Sequence, residues 1–414
     1  MTAGRTERIS FCAVLRVGEF RAMWLAEMLS FTGDQFARVA LVVLVFDRTN
    51  SAAFAGLTYA LTFIPVAAGA LALSHIADRR SRREVIVVAD GLRALVVGVM
   101  AVPGIDLGWL CVLAAVMSFI GGPYGAAQLA LLRDLLTADQ YPMGMTVRQV
   151  TVQAAQLVGF VAGGVLSAAL SPQSCLAINA VTFAVSALII RTGVRSRPAA
   201  APVSSSGRLV AGGIGLVWRD PRRRAIFMMT FLGVFYVVPE GIAAPFVHEL
   251  GHGAGVVGVV LASCGVGAMI GLPLFFRFVT PDRQRGALAV VCLSAGLPLV
   301  LVPLGAGIYG AMLLFAVSGA LWAALVVMSV SFLSQLLPDD RRAQGMGVAS
   351  SANITAQGLG AGLAGVLAEV VSPSWVIAVA GALSVPAALW PCLLWLRSTS
   401  RSTEGVRLTE STLS

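Results

Sequence analysis

Ser74-His75-Ile76-Ala77-Asp78-Arg79-Arg80-Ser81-Arg82-Arg83 separates two apolar runs, each long enough to cross a bilayer. Five charges fall in this short segment, four of them arginines. A tight, arginine-rich turn between apolar stretches fits the cytoplasmic end of a transmembrane hairpin, because basic loops are retained on that side.

Composition extends this reading to the whole chain. Hydrophobic residues make up 57% and charged residues 12%, where a soluble domain carries about 25% charged. Mean hydropathy is +0.86. Twelve spans of ~20 residues need roughly 240 residues, and 414 are present. The expected spans are 22–45, 52–73, 85–102, 108–131, 146–169, 174–190, 225–246, 255–278, 287–304, 309–333, 346–370 and 375–396.

Lysine is absent, so all 29 basic side chains are arginines. Most lie in alternate loops; the other set holds only Arg48. Both termini are therefore expected on the cytoplasmic side of a bacterial inner (plasma) membrane. The net charge of +9 reads as topology rather than nucleic-acid binding, because the charges are split among loops without interleaved aromatics. The first twenty residues are polar and basic, so no cleavable signal peptide is expected. The six cysteines form no C-x-x-C pair, which predicts neither disulfides nor a zinc knuckle. Without lysine there is no Walker A lysine and no Schiff base, which argues against ATP-driven transport by this chain alone.

An internal repeat runs at an offset of 201, pairing Gly144-Met145 with Gly345-Met346, Ala155-Gln156 with Ala356-Gln357, and Gly164-Val165-Leu166 with Gly365-Val366-Leu367. Asp78-Arg79 repeats as Asp282-Arg283 at a similar offset of 204. The expected organisation is a cytoplasmic N-terminus (1–21), a six-helix bundle (22–190), a cytoplasmic linker (191–224), a second six-helix bundle (225–397) and a cytoplasmic tail (398–414). The expected fold class is an all-α membrane protein with twelve transmembrane helices in two pseudo-symmetric six-helix bundles.

The turn pattern A-D-R-x-x-R-R resembles the signature loop between helices two and three of major facilitator superfamily transporters, with Ser74 and Ser81 in place of its two glycines. Phe20-Arg21-x-x-Trp24-Leu25, Gly33-Asp34 and Ala89-Asp90-x-x-Arg93-Ala94-Leu95 resemble its drug and macrolide-efflux and enterobactin-exporter branch. The resemblance spans nearly the whole chain. It implies a secondary transporter, not an enzyme, that works by alternating access on a small-molecule substrate as a monomer. It further implies a conformational gate: Asp78 capping the eleventh helix, Arg82 pairing with Asp134, and Arg79, Arg83, Asp90 and Arg93 beside them. Asp90 and Arg93 are expected to pair with each other. Gly159, Gly163 and Gly164 resemble an antiporter packing signature, with Phe160 where proline is usual.

Glu27, Asp34 and Arg38 share one helical stripe by their spacings of seven and four. Mid-bilayer charges cost about 2.5–3.5 kcal/mol each, so this stripe is expected to face a wet cavity or the bundle interior. Asp34 and Arg38 also suit a structural i,i+4 pair, and Glu27 an interfacial position. Glu240 has no basic residue within two turns along its own span, while Tyr236 lies one turn away. Glu240 is the expected main proton carrier, with Glu27 and Asp34 as alternates. Tyr124, Gln128 and Trp322 complete the expected cavity lining. The cargo is expected to be an amphipathic organic molecule such as an antibiotic, another secondary metabolite or a siderophore. The partners are protons and the lipid bilayer, with no nucleic acid. An importer or uncoupled facilitator of the same fold is the first alternative.

His248-Glu249-Leu250-Gly251-His252 matches H-E-x-x-H, which would make a membrane zinc protease if both histidines shared a helical face. Pro245, Gly251, Gly253 and Gly255 favour a loop instead. No metal and no cofactor are therefore expected.

Overall fold

The computed structural model describes residues 14–73, 80–137, 139–197, 213–305, 307–338 and 341–411, so Asp78 and Arg79 lie outside the described residues. The helices are α1 (Gly18–Thr49), α2 (Ala52–Ala60), α3 (Ile64–Ala72), α4 (Arg82–Met100), α5 (Leu107–Leu135), α6 (Tyr141–Ala169), α7 (Pro172–Gly193), α8 (Pro221–Phe231), α9 (Gly233–Tyr236), α10 (Val238–Gly241), α11 (Ala243–Glu249), α12 (Ala254–Phe278), α13 (Pro281–Ser294), α14 (Leu297–Val300), α15 (Gly307–Leu336), α16 (Arg342–Leu367) and α17 (Pro373–Ser411). No strand occurs among the described residues.

Helix starts follow the sequence closely. Ser51, Asp106, Ser171 and Asp220 each place a side-chain oxygen on an amide of the turn they precede, which satisfies a donor that the helix leaves unpaired. Pro172 and Pro221 follow two of these caps, where a missing N–H costs nothing.

Among the described residues, ten helical segments are long and apolar enough to cross a membrane. Two of the twelve expected spans, 85–102 and 346–370, are absent from that set because they are polar. The helix α4 carries Arg82, Arg83, Glu84, Asp90 and Arg93, and α16 carries Gln344, Asn353, Thr355 and Gln357. Their 19 and 26 residues span ~28 and ~39 Å at 1.5 Å per residue, so α4 nearly matches and α16 exceeds a hydrocarbon core of ~30 Å. Each packs against other helices of its own unit, which lets it carry polar groups away from lipid.

Contacts divide the chain into two compact units, Met1–Leu41 with Pro65–Ser204, and Val42–Ile64 with Ser205–Ser414. In the first, α4 packs against α5 and α7. Phe20, Met23, Ile86, Leu131, Leu132 and Ile190 form a buried apolar cluster there. Bilayer packing gains little from hydrophobicity and relies on small residues that let backbones approach. Gly159 accordingly faces Gln35 and Thr32, and Gly163 faces Phe36 and Val39. Gly164 is buried on the same helix.

In the second unit the tightest crossing is α12 on α15. A Cβ at Gly267 would fall 1.8 Å from the Ala316 carbonyl oxygen, and one at Gly319 would fall 2.3 Å from that of Cys264. Backbone cannot yield as a flexible side chain can. Gly267→Val is therefore expected to destabilise by about 1–3 kcal/mol or more, seen as a lower melting temperature in detergent. Gly121→Ala, where a Cβ meets nothing within 4 Å, should melt within ~0.5 kcal/mol of wild type.

The helix α2 packs along α16, with Gly56 against Gly365 and Ala361. Glu369, just beyond α16, accepts hydrogen bonds from the Ser51 hydroxyl and, at 2.8 Å, from the Ala53 amide. These bonds hold its carboxyl below the ordinary value of 4.5. A lowered native value stabilises the fold at pH above the ordinary glutamate range, and that stability fades as pH falls through the native value. The melting difference between wild type and Glu369→Gln is thus expected to be largest near neutrality and to shrink as the pH falls from the ordinary value of 4.5 through the lower native one. The effect is small because the group is exposed.

Candidate functional site

Four helices of the first unit converge on Arg93. Asp90 and Arg93 lie on one face of α4, as their i,i+3 spacing requires, with Arg93 Nη1 3.6 Å from Asp90 Oδ1. The other terminal nitrogen of Arg93 donates to Asp34 on α1. From α7, the Ser186 hydroxyl donates to Asp90 Oδ2 at 2.6 Å, and the Phe183 ring lies 4.1 Å from the guanidinium carbon. From α5, the Tyr124 ring lies 5.4 Å from that carbon, and its hydroxyl accepts from Gln128 Nε2 at 2.8 Å. Asp90 is fully buried and Arg93 is 5% exposed. Two carboxylates thus share one guanidinium. Asp34 Oδ1 and Asp90 Oδ1 are buried without a hydrogen-bond donor among the described residues. Two acids on one guanidinium leave the trio with one negative charge in excess.

The expected i,i+4 pair of Asp34 with Arg38 does not form, because Arg93 reaches Asp34 from another helix. Arg38 makes an interaction of its own. Glu27 is buried, held at both oxygens by Arg148 at 2.6 and 3.1 Å. Arg148, near the start of the expected span 146–169, sits inside α6 with its side chain 18% exposed. One turn along α1 from Glu27, the Trp24 indole donates to Thr151 at 2.7 Å.

Away from this cluster, Arg82 pairs with Asp134 and also donates to the Ala130 carbonyl at 3.3 Å. Arg83 donates to the Arg191 carbonyl.

In the second unit the expected seventh span runs as one helical segment, Pro221–Gly241, whose irregular turns at Leu232 and Val237 keep right-handed backbone and amide bonds to the Met229 and Gly233 carbonyls. Glu240 lies in the short α10. The Tyr59 hydroxyl donates to its Oε2 at 2.5 Å, a partner 181 residues away that no local pattern could supply. A cavity of about 40 Å³ beside Glu240 is lined by Tyr236, Cys264, Ser318, Trp322 and Gln357. Tyr236 and Trp322 stack with centroids 4.7 Å apart. This space suits water rather than an organic cargo, since one water needs about 10–15 Å³ by a comparable measure.

The H-E-x-x-H segment is not a continuous helix. His248 and Glu249 end α11, and Gly251 turns the chain with φ of 73° before His252. His248 packs edge-on to Phe46 at 5.6 Å, and Glu249 accepts from the Ser374 amide at 2.9 Å, capping α17. No group of three or more metal-ligating side chains occurs among the described residues.

The sequence profile described as Major Facilitator Superfamily matches residues 23–319 and 241–411. No curated protein matches in sequence. Among solved structures, the nucleoside transporter NupG is similar with a TM-score of 0.71 at 16% identity, covering 91% of this chain and 99% of that one. A POT family transporter in complex with a thioalcohol-conjugated peptide gives 0.73 at 14% identity, covering 92% and 96%. The peptide transporter POT in complex with sulfate gives 0.73 at 13% identity, covering 94% and 99%. At these identities the likeness concerns the fold.

Proposed function

The chain belongs to the Major Facilitator Superfamily, and on that premise we propose that it is a proton-coupled exporter of amphipathic small molecules. It is a multi-pass membrane protein. The proposed setting is a bacterial plasma membrane with both termini cytoplasmic, and the proposed working form is a monomer. Halves 22–190 and 225–397, joined by the linker 191–224, would rock about a mid-membrane site.

One observation carries the proton reading: Asp34 and Asp90 share the single guanidinium of Arg93, each with an oxygen that lacks a donor. Buried carboxylates in excess of cations are the groups that take up and release protons during transport. Glu240, beside a water-sized cavity and bonded to the neutral Tyr59, is proposed as the main carrier. Asp34 and Glu27 are the alternates, and Arg148 makes Glu27 the weaker one. Asp34, Arg38, Tyr124, Gln128, Tyr236 and Trp322 are proposed to line the cargo path. Arg82 with Asp134, and Arg83 with the end of α7, are proposed as the described part of a cytoplasmic gate, whose remainder is Asp78 and Arg79. The outward direction rests on the exporter-like motifs around Trp24, Asp34 and Arg93.

Cells expressing the chain should accumulate less of a lipophilic antibiotic or siderophore than cells without it, and a protonophore should abolish the difference. Greater accumulation on expression would make the protein an importer.

A further inference from the structure

We propose that an arginine-lined cleft at one end of the first unit binds the phosphate headgroup of an anionic phospholipid. The proposal goes beyond the transport reading and shares with it only the orientation that puts this end at the cytoplasmic surface. The cleft has a volume of about 710 Å³. Its walls are Val17, Gly18 and Glu19 at the start of α1, Arg83 at the start of α4, Leu135 at the end of α5, and Arg191–Arg197 at and beyond the end of α7.

Charge is the first argument. Among the described residues, Arg83, Arg191, Arg195 and Arg197 face one acid, Glu19, leaving three positive charges in excess. That acid is already engaged by Arg197 at 2.6 Å, with Arg195 at 3.8 Å. Arg83 is committed to the Arg191 carbonyl. The Arg191 guanidinium is paired with no carboxylate among the described residues, and the Arg195 side chain is 89% exposed.

The geometry of the charge favours phosphate, because guanidinium forks match its oxygens two at a time. Position favours a lipid over free phosphate. Basic pockets at cytoplasmic helix ends collect anionic headgroups, and the cleft has apolar walls in Val17, Leu135 and Val194. The helices α4 and α7, which pack together, expose Val88, Leu92, Val185 and Leu188 further along their length, where acyl chains would lie.

The test uses the full chain in neutral detergent and follows its melting by tryptophan fluorescence. Phosphatidylglycerol should raise the melting temperature by several degrees over the same amount of phosphatidylcholine, and added salt should erase the difference. Arg191→Gln/Arg195→Gln should melt like wild type in phosphatidylcholine and lose most of the phosphatidylglycerol shift. If that variant folds poorly, Arg195→Gln alone, at an exposed position, should lose part of it. Equal shifts in wild type and variant, or no preference for phosphatidylglycerol, would overturn the proposal. So would inorganic phosphate that reproduces the shift, since the occupant would then be the free anion. The readout needs no gradient and no cargo, so its failure leaves the transport reading intact, and failure of coupled flux leaves the lipid site intact.

Discussion

Arg93→Gln is expected to destabilise the protein by roughly 3–5 kcal/mol, the usual cost of removing one partner from a buried ion pair. The cost follows from what remains. Asp90 is fully buried and Asp34 nearly so, with its side chain 17% exposed. Without the guanidinium, both carboxylates lose their cation, and Asp90 keeps only the Ser186 hydroxyl. The contacts of Arg93 with the Phe183 and Tyr124 rings also disappear, adding about 0.5–2 kcal/mol. Arg93→Lys should rescue poorly, because an ammonium cannot span two carboxylates and two rings as a planar fork does. The triple variant Arg93→Gln/Asp34→Asn/Asp90→Asn should recover much of the loss, since it removes the stranded charges along with the cation. Melting in detergent measures all three. A single Arg93→Gln variant that melts with wild type would show that the cluster does not hold these helices together.

Glu240→Gln is expected to reduce gradient-driven flux to the level of empty vesicles while leaving cargo exchange intact. Exchange of cargo for cargo needs both conformations but no net proton movement, whereas coupled flux needs a group that changes charge. Glutamine keeps the size and can still accept from Tyr59, and it removes the charge that titrates. Tyr59→Phe is the companion test. It keeps the ring, which sits 5.4 Å from Phe63, and removes the donor to Oε2. A hydrogen bond to a charged group contributes about 1.5–3 kcal/mol, so coupled flux should fall several-fold without vanishing. A Glu240→Gln variant that still follows the gradient would transfer the proton role to the Asp34–Asp90 pair.

Much of the fold can be read along the chain because it rests on patterns local to the chain. Apolar runs of one bilayer thickness and alternating arginine loops give the helices, and a repeat at a constant offset suggests paired halves. The helices α4 and α16 fall at the expected spans 85–102 and 346–370 although they are the most polar of the set. The candidate site is legible only where partners share a helix. Asp90 and Arg93, three residues apart, are visible as neighbours. Asp34 misleads, since Arg38 stands at the right helical spacing while the partner that reaches it lies 59 residues on. Arg148 hides in the same way: nothing beside it in the chain marks its partner, and only packing sets it against Glu27 across 121 residues. Tyr59 carries no sequence signal at all, being one aromatic in an apolar run. The H-E-x-x-H match fails for a reason already in the sequence, the glycine at 251 that lets the chain turn between its histidines.

The most direct test of the central claim is simultaneous measurement of proton and cargo movement in sealed proteoliposomes holding the purified chain. An imposed pH gradient should drive a lipophilic antibiotic or siderophore against its own gradient. An interior pH dye should report protons moving the opposite way in fixed proportion, with both signals lost in Glu240→Gln/Asp34→Asn. Cargo that equilibrates at the same rate with and without the gradient, and moves no protons, would contradict the account and leave an uncoupled facilitator of the same fold.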